Sequence, residues 1–362
     1  MGRNLANGYA LVTGGAGFIG CNLVERLLGI GREVVVLDNF SRKGSERNAE
    51  WLASLKSLGS LRIVCGDVRD TGLVEPLISG ANQIFHLAAQ VAVTSSLETP
   101  TVDFDVNARG TLTVLEAIRR LSSPPSLLFT STNKVYGALS SFAVRATDMR
   151  CELEDAELRE RGFGENQPLD FHSPYGCSKG AADQYVLDYA RSFAIPTLVF
   201  RMSCIYGPHQ WGNEDQGWVA HFLMSARKGA PITIYGDGRQ VRDLLFVGDL
   251  VDAMVLAQSS AHDLAGRAFN IGGGPRNTAS LLQVIAQLEK LLGWAPEVRF
   301  QGARIGDQRY YVSDVSRFSQ ATGWRPGVSV GEGLRRMIAW LDSLGCEGMR
   351  RPGPVALGAE GR

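Results

Sequence analysis

Along the first two hundred residues, short apolar runs alternate with longer stretches of helical period; the runs fall at 9–13, 34–38, 61–65, 84–87, 127–131 and 197–201. Runs that are continuous rather than alternating mark strands buried on both faces. Strand then helix, repeated, predicts right-handed crossovers and a Rossmann-type, doubly wound parallel α/β sheet. After Gly207 the rhythm turns irregular, with a loop bearing glycine and tryptophan, a helix over 218–228, a strand over 232–235 and helices near 249–259, 278–292 and 331–342. The expected division is a main domain over 1–200, rejoined by sheet and helix segments from about 240–275, and a smaller mixed α/β lobe over 201–342 packed on the open end of the sheet. The charge-dense stretch 145–166 reads as a solvated helical excursion. Residues 343–362 carry Gly, Pro and Arg without an apolar face, which predicts a disordered tail.

Charge and cysteine usage narrow the classes. Thirty-seven Lys and Arg balance 37 Asp and Glu, so nothing argues for a nucleic-acid partner. The apolar runs fall well short of the roughly 18 residues a membrane span needs. Residues 1–5 lack the charged-then-apolar pattern of a signal peptide, and the expected address is the cytoplasm. The six cysteines form no CxxC pair and are expected reduced. No histidine falls four residues from a second ligand, so no metal site is expected.

The first candidate chemistry follows the first strand: Thr13-Gly14-Gly15-Ala16-Gly17-Phe18-Ile19-Gly20, leading into a helix. Gly14, Gly17 and Gly20 allow a tight turn and let the amides of Phe18 and Ile19 approach a pyrophosphate at the helix N-terminus. A plain tight turn would use the same glycines. The second strand, however, ends in Asp38-Asn39, eighteen residues after Gly20. An acid there accepts the ribose hydroxyls of NAD and repels a 2′-phosphate, although Arg42 and Lys43 lie near enough to host one. NAD is the expected cofactor. Asp67 and Val68 follow the third strand, placed to meet the adenine, unless Asp67 is a helix cap. After the fourth strand, Ala88 and Ala89 pass under the cofactor and Gln90 reaches toward a substrate, while His86 reads as a hydrogen-bonded core residue.

The second is the run His172-Ser173-Pro174-Tyr175-Gly176-Cys177-Ser178-Lys179, which opens a long helix. Ser173 suits an N-cap and Pro174 the first position, which sets Tyr175 and Lys179 one turn apart on one face. The ammonium and the positive helix end would then lower a phenol whose ordinary pKa is about 10, making it a base near neutrality. Cys177 reads as a packing residue rather than a nucleophile. The fifth strand delivers Ser131 and Thr132 to the carboxyl edge of the sheet.

On these motifs the chain resembles the extended short-chain dehydrogenase/reductases, the nucleotide-sugar epimerases and dehydratases, from Tyr9 to about Trp340. The resemblance implies that Thr132 hydrogen-bonds the substrate hydroxyl, Tyr175 is the general base, Lys179 holds the nicotinamide ribose and Asn107, on a helix beginning near Val106, supports that lysine through water. Dehydratases of the family carry Asp-Glu where this chain has Asn133-Lys134, which points away from dehydration. The segments 131–137, 170–185 and 215–219 are similar to a branch that epimerises a CDP-linked hexose at C2. A 4-epimerase or 4-reductase of a UDP-, GDP- or dTDP-sugar and a non-catalytic NAD-responsive protein remain alternatives. By the same resemblance, Arg242 and Arg304 meet a substrate diphosphate, Asn133 lies at the sugar, Asp243 and Asp307 orient the arginines, and the helices near 104–121 and 175–193 pair two subunits.

Overall fold

The computed structural model describes residues 8–304 and 307–345. Residues 1–7 and, of the expected tail, Cys346 and the residues after it lie outside them; Ser343 is still helical. In chain order, β1 (Tyr9–Thr13), α1 (Phe18–Gly29), β2 (Val34–Asp38), α2 (Ser45–Ser54), β3 (Leu61–Cys65), α3 (Thr71–Ser79) and β4 (Ala81–His86) alternate strictly. Next come α4 (Val93–Glu98) and a rod made of α5 (Pro100–Phe104), a π-helical stretch over Asp105–Arg109 and α6 (Gly110–Arg119). β5 (Ser126–Thr132), the hairpin β6 (Val144–Ala146) and β7 (Cys151–Leu153), α7 (Ala156–Arg161), α8 (Ser173–Phe193), β8 (Thr197–Met202) and β9 (Cys204–Tyr206) follow. Then come α9 (Trp218–Lys228), β10 (Ile232–Tyr235), β11 (Val241–Phe246), α10 (Val247–Ser259), α11 (Ala261–Leu264) and β12 (Ala268–Ile271). The last elements are β13 (Thr278–Ser280), α12 (Leu281–Leu292), β14 (Val298–Gln301), β15 (Tyr310–Tyr311), α13 (Ser316–Thr322) and α14 (Val330–Ser343).

Seven strands form one parallel sheet in the order β3-β2-β1-β4-β5-β8-β12. Every residue of β2 is buried, as a strand covered on both faces must be. On one face lie Leu23, Val24, Leu27 and Leu28 of α1 with Leu250 and Met254 of α10. On the other lie Val74, Leu77 and Ile78 of α3, Val114 and Ile118 of α6, and Val186 of α8. Each such side chain contributes about 1.5–3 kcal/mol of burial. Strand order reverses between β1 and β4, and the crevice beyond their carboxyl ends is the natural ligand site of such a sheet. A second core gathers α9, β10, α12 and α14 around Leu223, Ile234, Leu288 and Leu334.

Three local expectations need correcting. The stretch 145–166 is mostly a β-hairpin and a six-residue helix: Cys151 and Leu153 are buried while Glu152 between them is not, a period of two. The rod expected to start near Val106 starts at Pro100, which fits the first turn of a helix. Residues 278–280 are strand rather than helix, because Ser280 and Gln283 form a reciprocal capping box that starts α12 at Leu281.

Candidate active site

β1 runs into Gly14, whose φ of +70° favours glycine and whose Cβ would sit 2.8 Å from Ala88 N. A Cβ on Gly20 would lie 2.3 Å from Gly14 O, so the first turn of α1 packs directly on the loop. α1 opens at Gly17 with no side-chain cap, which leaves its first N–H groups for a ligand. Gly14, Gly17, Phe18, Ile19 and Gly20 line a cavity of about 500 Å³ together with Asp38, Asn39, Asp67, Val68, Ala88, Ala89, Gln90, Tyr175 and Lys179. Asp38 accepts from Ala16 N at 3.0 Å and from Phe40 N at 2.9 Å. Burial raises its pKa, and the amides of Phe40, Ala16 and Gly17 oppose the rise. Asp67 is not a helix cap, since Asp70 caps α3. Its carboxylate is forked by the Arg69 guanidinium, which, against partial burial, holds its pKa down to about 2. A glycine cradle, an uncapped helix end and an acid at the end of β2 fit NAD, the cofactor expected from the sequence.

The reacting groups meet where β5 ends and α8 begins. α8 starts at Ser173 with His172 as its N-cap, one residue before the cap expected at Ser173, and has Pro174 in the first turn; Ser173 Oγ accepts from Gly176 N at 3.2 Å. The backbone N–H of Tyr175 donates to Ser96 Oγ at 3.2 Å, and Thr132 lies close enough to its hydroxyl to lower the phenol's pKa. Thr132 Oγ1 also accepts from Lys134 N at 3.2 Å. The electrostatics differ from expectation. Burial pushes Tyr175 up to about 12, opposed by the Thr132 hydrogen bond and the charge of Arg42. Burial drives Lys179 down to about 7. Its ammonium donates to Thr130 O at 2.5 Å and sits 4.1 Å above the Phe129 ring, so it serves the sheet edge rather than acidifying the phenol. Ser131, whose buried Oγ has no hydrogen-bond partner among the described residues, lines the cavity where Thr132 does not.

Behind these groups, Asn107 sits in the π-helical stretch. It accepts from Gln90 N at 2.9 Å and donates to Gln90 O and Ser178 Oγ, contacting the turn of α8 beside Lys179 rather than Lys179 itself. Asp103, one turn earlier and fully buried, bonds Ser178 and Asn107 and acts electrostatically on Lys179. Nothing in the local pattern singled it out. Gln90 lines the cavity, and its side-chain amide bonds Ala92 and, in the first turn of α4, Ser95. His86 is held by Thr13 at 2.7 Å and Thr111 at 3.0 Å, and burial keeps it neutral by lowering its pKa to about 3. Cys177 is exposed rather than packed, because it faces outward from the first turns of α8.

The substrate-side residues lie beyond the cavity lining. Arg242 donates to Asp307 Oδ1 at 2.6 Å, and Lys134 Nζ stands 3.8 Å from the same oxygen. Burial, then the charge of Arg242, lowers Lys134 to about 8. Asp307 thus orients Arg242 as expected. Asp243 does not: neighbours on a strand face opposite ways, and its carboxylate bonds Ser203 and Gly274 N. Arg304 pairs with Asp215 at 3.4 Å and lies 3.9 Å over the Tyr235 ring. Asn133 donates to Gln308 Oε1 at 3.4 Å.

Fold and site together define a dinucleotide-dependent enzyme of the Rossmann class, with a tyrosine, a lysine and a threonine at the sheet edge. Residues 10–272 match the NAD dependent epimerase/dehydratase family, and the chain belongs to it. It is 42% identical over 343 residues to the CDP-paratose 2-epimerase of Salmonella typhi, covering 92% of this chain and 99% of that one. A Thermus thermophilus UDP-glucose 4-epimerase solved with NAD is 32% identical with a TM-score of 0.75, over 92% of this chain and 99% of that one. A Streptomyces venezuelae dTDP-glucose 4,6-dehydratase with NAD bound has a TM-score of 0.78 at 29% identity, over 92% and 97%.

Proposed function

We propose that this chain is a 2-epimerase of a CDP-linked hexose of the paratose and tyvelose type, with NAD as its resident cofactor. The observation that carries the reading is the 42% identity to CDP-paratose 2-epimerase across nearly the whole length of both chains. Asn133 and Lys134 support it, because they replace the acid pair that dehydration needs. When bound, NAD supplies reversible hydride acceptance, which turns a carbinol carbon into a ketone and back. The protein's share is proton handling and grip. Thr132 and Tyr175 bracket the sugar hydroxyl; Tyr175 Oη would take its proton and return it in the ionised form, which burial disfavours in the cofactor-free chain, and Lys179 holds the ribose side of the site. Arg242, set by Asp307, and Arg304 receive the diphosphate through bidentate contacts that lysine cannot make.

The chain pairs with a second copy through the rod 100–119 and α8, a reading supported by the outward apolar side chains Val102 and Phe104 of the rod and Tyr185 and Phe193 of α8. We place it in the cytoplasm, consistent with the unpaired thiols of Cys21, Cys65, Cys151, Cys177 and Cys204. Among the described residues, no helix is long and apolar enough to cross a membrane. The decisive assay uses CDP-hexose deuterated at C2. The product should be inverted at C2 and keep its deuterium in ordinary water; label lost to solvent, or inversion only of UDP-sugars at C4, overturns the assignment.

A further inference from the structure

The stretch after β9, residues 207–217, crosses the cofactor cleft, and His209, Gln210, Trp211 and Gln216 line the same cavity as the glycine loop. We propose that it is a strap that retains the dinucleotide, with Asn48 of α2 as its pin; this rests on the reading of the site as NAD-dependent. Asn48 is buried, and each polar atom of its amide has a protein partner. Its Nδ2 donates to Ala16 O in the phosphate loop at 3.0 Å and to His209 O at 3.4 Å, while Oδ1 accepts from Trp211 Nε1 at 3.0 Å. One side chain therefore fastens the phosphate loop, α2 and the strap together. Opening the strap would strand a buried amide, which is costly.

Aromatic packing reinforces the pin. The His209 ring stacks on Trp51 with centroids 3.8 Å apart and planes at 29°. His209 itself has φ of +65°, a conformation non-glycine residues adopt only when neighbours enforce it. Trp211 lies beneath the Arg47 guanidinium at 5.1 Å and against Gly44, where a Cβ would stand 2.1 Å from the indole Cδ1. From the loop before α2, Arg42 hydrogen-bonds Gln216. Both ends are anchored, by Asn22 Nδ2 on Pro208 O at 3.1 Å and by Asp215 on Arg304. A cofactor that must take and return a hydride within one turnover gains from such closure, because departure between the two steps would leave the ketone stranded.

The test uses the full-length protein. Bound dinucleotide is quantified after desalting, and its exchange rate is read by chase with isotope-labelled NAD. Wild type should keep its NAD. Trp211→Phe, which removes the indole N–H and trims the ring, and Asn48→Ala should each exchange at least tenfold faster, with wild-type far-UV circular dichroism confirming the fold. Gly44→Ala, far from the reacting groups, should do the same by displacing the indole. Variants that exchange at the wild-type rate overturn the strap and leave the epimerase reading standing; a wild-type protein that neither carries nor takes up NAD overturns both.

Discussion

Helix α8 carries two ionic groups one turn apart that have been treated in opposite ways. Asp183 takes a two-pronged grip from Arg201, with both contacts at 2.9 Å and both side chains buried, and Arg201 also reaches the Tyr136 hydroxyl at 3.2 Å. Although burial works against it, that pairing raises the pKa of Arg201 above its ordinary value. Lys179, four residues back, is equally buried but meets a backbone carbonyl, and its charge is destabilised instead. Tyr175, a turn earlier, is pushed the other way. A charge that is matched serves the fold. A pair of groups whose pKa values burial displaces in opposite directions, in a cleft, marks a site for chemistry.

Mutations should separate the two regions. Tyr175→Phe removes the proton acceptor and should cut turnover by roughly 10²–10⁴-fold, with NAD still bound and thermal stability almost unchanged. Turnover within threefold of wild type would refute its role. Asp183→Ala leaves the Arg201 guanidinium buried without its carboxylate and should destabilise the fold by about 3–5 kcal/mol in urea titrations. A loss below about 1 kcal/mol would mean that water or Tyr136 compensates the arginine and that the contrast with Lys179 is false.

Much of this was legible locally. The strands at 9–13 and 34–38 match β1 and β2 residue for residue, because a strand buried on both faces writes a continuous apolar run; 61–65 matches β3 as well, although that edge strand is only partly buried. The glycine cradle and the Tyr175–Lys179 spacing were equally local. Asn48 was not: its partners Ala16, His209 and Trp211 lie up to 163 residues away, and an asparagine within a charged helix looks like surface. Thr132 was singled out over Ser131 by resemblance alone, because both are buried at the end of one strand and only the fold shows which lines the cavity. The protonation of Tyr175 failed for the same reason. Sequence shows an ammonium four residues away, whereas desolvation, set by everything packed around the phenol, governs the result.

The sharpest test of the comparison reverses the sign of a mutation. Lys179 has a pKa near 7 in the folded chain against 10.5 in an unfolded one. Between those values the unfolded chain binds the proton and the folded chain does not, so stability rises with pH across that window. Below pH 7 both forms are protonated and the full cost of burying the ammonium persists, even with Asp103 and Asp183 partly offsetting it. Lys179→Met keeps the length of the side chain and removes the charge. In cofactor-free protein it should therefore stabilise the fold at pH 7 by on the order of 2 kcal/mol, and its advantage should shrink toward pH 10 as the wild-type lysine sheds its proton. Urea titrations at pH 7, 8 and 9 read both effects. A Met variant less stable than wild type at pH 7, or one whose difference from wild type does not change with pH, would show that Lys179 is a matched structural charge like Arg201.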